Sequence, residues 1–65
     1  MSYNQAIEKA VELGATISEG INWTWANGFP TYESAQEFIK SFPDMETRGI
    51  YPDVIEETFD VRFRF

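Results

Sequence analysis

The chain has 65 residues, eleven acids against five bases for a net charge of −6, and neither cysteine nor histidine. That length allows one core and excludes a second domain, so residues 1–65 read as a single domain. The missing side chains exclude disulfides, thiolate metal sites and imidazole chemistry, and the acidity argues against a protein whose main work is holding phosphates.

Packing material is nevertheless plentiful, because eleven residues are aromatic and each can bury about 150 to 250 Å². Ser2 to Leu13 places Tyr3, Ala6, Ile7, Ala10 and Val11 on one helical stripe. Ser2 and Gln5 have capping-box spacing, and Gly14 fits the position just past the helix end. A less favoured reading carries this helix on to Ser18 with Gly20 as the cap, since Ile17 extends the stripe.

From Ala15 to Ala26 the composition turns β-branched and aromatic, with Ile21, Trp23 and Trp25 alternating with Asn22, Thr24 and Ala26. Two tryptophans at i and i+2 of a strand point the same way, and the plainer expectation places both in the core under the helices. The sharper one leaves Trp25 partly exposed, with Phe29 beside it as an aromatic anchor for a partner. Glu19-Gly20 reads either as a two-residue hairpin turn joining Thr16–Ser18 to this strand or as a bulge within one long strand, and Asn27-Gly28 reads as the turn that ends it.

Thr31 caps a second helix in which Tyr32, Ala35, Phe38, Ile39 and Phe42 share a stripe, and Pro43 stops it. Met45 to Tyr51 is a weaker strand, Asp53 to Glu57 a single helical turn on the cap spacing of Asp53 and Glu56, and Phe59, Val61, Phe63 and Phe65 alternate with Asp60, Arg62 and Arg64 along a half-buried last strand. The expected fold is α+β in the order α-β-α-β-β, two helices on one face of a small, mainly antiparallel three-stranded sheet. Its other face would carry Asn22, Thr24, Asp60, Arg62 and Arg64.

No catalytic group, cofactor motif or metal-ligand spacing emerges, and an enzyme is not expected. Asp53, Glu56, Glu57 and Asp60 match no calcium loop and read as a solvated turn. Arg62 and Arg64, joined by Arg48 if it lies on a neighbouring strand, form either a small basic ladder for nucleic acid or an acidic peptide, or a terminal-strand face that guards against edge pairing and pairs with acids across strands. Residues 1 to 47 hold seven acids and two bases, so Glu8 and Glu12 on the first helix and Glu33 and Glu37 on the second make an acidic surface.

These features point to a small non-enzymatic protein-binding module, an inhibitor or accessory factor that occupies a basic surface of a larger protein through Trp25, Phe29, Glu8, Glu12, Glu33 and Glu37. Nucleic-acid mimicry, as in small phage and mobile-element proteins, is one form this could take; direct nucleic-acid binding is not expected. The alternative is a structural homo-oligomer whose aromatic strands continue a sheet or cover a neighbour, since so small a core is marginal alone. With no apolar run of transmembrane length and no basic-then-apolar leader, no membrane role is expected and a cytoplasmic address is the default.

Overall fold

A computed structural model describes residues 2–65, with helices α1 (Ser2–Glu12) and α2 (Tyr32–Lys40) and strands β1 (Thr16–Glu19), β2 (Thr24–Phe29), β3 (Glu46–Asp53) and β4 (Thr58–Arg64). Every strand pair is antiparallel and the sheet order is β1-β2-β4-β3. The α+β class holds, but the sheet has four strands where three were expected. The added strand is β1: of the two readings of Glu19-Gly20 the hairpin is realised, though its loop is Gly20–Trp23, closed by the Gly20 amide donating to the Trp23 carbonyl at 2.8 Å.

Helix α1 ends before Gly14, as the shorter reading requires. The cap expected at Ser2 lies at the edge of the described residues, Ser2 being the first helical residue there. Helix α2 starts on a reciprocal cap: Thr31 Oγ1 accepts from the Ser34 amide at 3.0 Å while Ser34 Oγ accepts from the Thr31 amide at 3.2 Å. The helices are joined at the surface by Lys9 and Glu37, 3.3 Å apart.

One buried cluster unites Ala6 and Ala10 of α1, Ala35 and Phe38 of α2, Ala26 and Phe29 of β2, and Val61 and Phe63 of β4. Phe38 is its hub, with ring centroids 5.3 Å from both Phe29 and Phe63, and each such aromatic pair adds about 0.5 to 1.5 kcal/mol beyond the area it buries. Three of the four buried helix residues are the alanines Ala6, Ala10 and Ala35, so the helices can approach the sheet closely, and beside Phe29 strand β2 adds only the small Thr24 and Ala26 to the buried side.

That constraint sets the parity of β2 and overturns one expectation. Thr24, Ala26 and Phe29 turn toward the helices, so Trp23 and Trp25 must point the other way. Ile21, expected to share their face, sits in the loop and is fully exposed. Thr24, expected on the outer face, is buried and its hydroxyl lies 3.1 Å from the Tyr3 hydroxyl. Tyr3 also donates to Glu19 at 2.7 Å, tying α1 to the sheet edge. Contact with the Thr24 hydroxyl acts to lower the Tyr3 pKa, but the bond to Glu19, burial and the Glu19 charge together raise it above the ordinary 10.0.

Asn27-Gly28 does not end β2. It forms a bulge between Ala26 and Phe29, with Gly28 at φ +88°, and the Gly28 amide finds its acceptor in Asp60 Oδ1 at 2.9 Å. A matching bulge between Thr47 and Ile50 of β3 places Gly49 at φ +96°. Each inserts one residue and thereby returns a large side chain, Phe29 or Ile50, to the helix side. Only glycine adopts these angles without strain.

Strand β4 is central, paired on both sides. Its arginines therefore do not guard an edge, and neither β4 nor β2 can be extended by another sheet; the free edges are β1 and β3. Val11, placed on the α1 stripe by periodicity, is 56% exposed.

If the alanine contacts set the layer spacing, Ala10→Leu will overpack the core and destabilise the domain by about 1 to 3 kcal/mol, read by urea denaturation. Val11→Leu on the solvent side will leave stability within about 0.5 kcal/mol. Equal stability for the two variants would contradict the packing described.

Candidate functional site

The outward side of the sheet is built from alternate residues of its strands: Trp23 at the entry to β2 and Trp25 within it, Arg62 and Arg64 on β4, Arg48 and Tyr51 on β3. Cross-strand register seats Trp25 directly opposite Arg62, and Trp25 leans across β4 to Tyr51, with ring centroids 5.5 Å apart. All of the protein's arginines gather here.

Arg62 is enclosed by aromatic rings. Its guanidinium carbon lies 5.0 Å from the Trp23 centroid, 5.6 Å from Trp25 and 5.8 Å from Tyr51, and one terminal nitrogen donates to the Tyr51 hydroxyl at 3.2 Å. Its Nε is buried without a hydrogen-bond partner, so the surrounding π faces are the compensation this N–H has. The result is an aromatic cage filled by the protein's own cation.

Trp23 organises the other two cations. Arg64 stands 4.3 Å and Arg48 5.3 Å from its ring centroid. Arg64 is also paired with Glu46 at 3.0 Å, whereas Arg48 is exposed and, among the described residues, has no ion pair or hydrogen bond. Three guanidinium groups thus converge on one indole with a single carboxylate to neutralise them, which makes this end of the face attractive to anions.

The other end of the same face is acidic. Asp53, Glu56, Thr58 and Asp60 line a shallow depression beside the β2 bulge. Asp53 Oδ1 accepts from the amides of Ile55 and Glu56, both at 3.1 Å, and Asp60 accepts from Gly28, so two of the three carboxylates serve the backbone. The Glu56 carboxylate has no partner among the described residues. Among those residues no group of three or more acids is arranged to hold a metal ion, and no helix is long and apolar enough to cross a membrane.

Of the residues singled out from sequence, Trp25 lies on this face and is half-buried. Phe29 does not join it. The bulge turns Phe29 inward, where it is fully buried against Phe38, so it cannot serve as a surface anchor. Glu8, Glu12, Glu33 and Glu37 are exposed on the helical layer, on the opposite side of the domain, with Glu37 engaged by Lys9. The structure separates what the sequence reading combined: Trp25 belongs to one face and the four glutamates to another.

Trp23, Tyr51 and the cage around Arg62 were missed because indoles alternating along a strand look like core. The available signal was the pairing of two aromatic-rich strands with arginines at i and i+2, together with small residues at Thr24 and Ala26.

Comparison with protein-family models, with curated proteins and with solved structures gave no match.

Each ring-to-cation contact at Arg62 contributes about 0.5 to 1 kcal/mol at such a site. Arg62→Ala, which removes three such contacts, is expected to lower stability by about 1.5 to 3 kcal/mol and to shift tryptophan emission to longer wavelength as both indoles gain water. An unchanged emission spectrum would show that the guanidinium does not cover them.

Proposed function

We propose that this protein is a non-enzymatic protein-binding module whose docking surface is the open face of its sheet. The observation that carries this reading is composition in place: Trp23, Trp25, Tyr51, Arg48, Arg62 and Arg64 share one unpartnered face, and Trp, Tyr and Arg are the residue types that dominate interface hot spots. Arginines stacked on indoles are held in place before contact, which reduces the side-chain entropy lost on binding. A nucleic-acid strand suits the face less well, because a polyanion laid along the strands passes from the three guanidinium groups to Asp60, Asp53 and Glu56.

A second reading keeps the helical layer as a contact for a larger basic protein. It draws on Glu8, Glu12 and Glu33, which are exposed and without a cation partner among the described residues. Charge there would steer encounter more than it would hold the complex.

Co-purification from the native host with three baits distinguishes the two. The open-face reading expects a partner, including untagged copies of the chain itself, to be retained by wild type and by Glu8→Gln/Glu12→Gln/Glu33→Gln, and lost with Trp25→Ala/Arg48→Ala. The reverse pattern would transfer the function to the helices.

A further inference from the structure

We propose that the occupant of the open face is a second copy of this chain, docked face to face about a two-fold axis that runs across the strands at the level of Trp25 and Tyr51. This rests on the open-face reading and names its partner.

Charge changes sign along the face. Outward residues of β4 run Arg64, Arg62, Asp60 and Thr58, with Arg48 added at the first end and Asp53 and Glu56 at the second. A strip positive at one end and negative at the other is complementary to itself once turned end for end. A two-fold interface demands such self-complementarity, because each residue of one copy meets its counterpart's neighbour across the axis.

In that arrangement Arg48 of each copy meets the acidic turn of the other, and the Trp25 and Tyr51 rings of both copies meet near the axis, in the centre where hot spots concentrate. The groups without an ionic partner among the described residues are the complementary ones: Arg48 has no anion there, Glu56 has no cation, and they sit at opposite ends.

Overall charge opposes association, but little of it lies on this face. The face carries Arg48, Arg62 and Arg64 against Glu46, Asp53, Glu56 and Asp60, a net of −1, so five of the six excess charges lie elsewhere. Contiguous edge pairing is closed to β2 and β4, so association through the aromatic strands has to use their faces, as in packed sheets about 10 Å apart. An interface of ordinary size takes about 800 Å² per partner, roughly a fifth of the 4266 Å² surface, which one face of a two-layer domain can supply.

The test is sedimentation equilibrium on the full chain from about 1 µM to about 500 µM, with Arg48→Glu, Glu56→Arg and the double variant carrying both. Among the described residues neither side chain makes a hydrogen bond or ion pair, and Arg48 loses only its contact with the Trp23 ring, so folding is checked by circular dichroism. Wild type is expected to dimerise, each single reversal to weaken the dimer by about tenfold or more, since the symmetry repeats each clash, and the double variant, or a mixture of the two singles, to restore it. A wild-type chain that stays monomeric throughout overturns the second copy as occupant. So does a dimer indifferent to both reversals, which would place association on another surface, or a labelled single-stranded oligonucleotide bound in place of self-association. If the chain is monomeric yet Trp25→Ala/Arg48→Ala still abolishes capture of another protein, the open-face reading survives and only its partner is wrong.

Discussion

Helices α1 and α2 can lie close on the sheet because they meet it with Ala6, Ala10 and Ala35, and this close approach decides what β2 turns inward. Thr24 and Ala26 are the small side chains that β2 buries on this side, whereas an indole in place of either occupies far more volume and would lift the helices from the sheet. The bulk of the core is supplied instead by Phe29, Phe38, Phe63 and Val61, all fully buried. Trp23 and Trp25 are thereby displaced to the outer side, and the surface chemistry of the molecule follows from that displacement.

Once outside, the indoles need cover, and the arginines provide it. Arg62 lies within 5.0 to 5.8 Å of three ring centroids, and Arg64 and Arg48 complete a basic layer around Trp23. Guanidinium suits this role because its planar, weakly hydrated group stacks on aromatic faces, which an ammonium does less well. A face protected in this way stays wettable while keeping large, rigid side chains near the surface, a combination that favours specific association over indiscriminate adhesion.

Much of the fold was legible in the sequence. Helical periodicity located both helices, the Thr31 cap and Pro43 bounded the second, and strict alternation located β4 with Phe59, Val61 and Phe63 inward. The parity of β2 was not legible, because period-2 patterning says that Trp23 and Trp25 share a side without saying which side is the core. Hydrophobicity favoured the indoles; the deciding information was the alanine lining of two helices remote in sequence. The same tertiary dependence hid the bulges: Asn27-Gly28 has the local chemistry of a turn, and only a neighbouring strand with Asp60 in register makes it a bulge. Of the candidate site, a partly exposed Trp25 was only the second of two readings, behind burial of both indoles, and its companions, Tyr51 and the arginines, are brought together by the central placement of β4.

The open face requires that both tryptophans point away from the helices, and nuclear Overhauser contacts of the two indoles measure that directly. Cross-peaks from Trp25 to Tyr51 and Arg62, and from Trp23 to Arg64, with none to the methyl groups of Ala6, Ala10 or Ala35, are the predicted result. Indole contacts to those alanine methyls in the folded chain would reverse β2 and contradict the open face altogether.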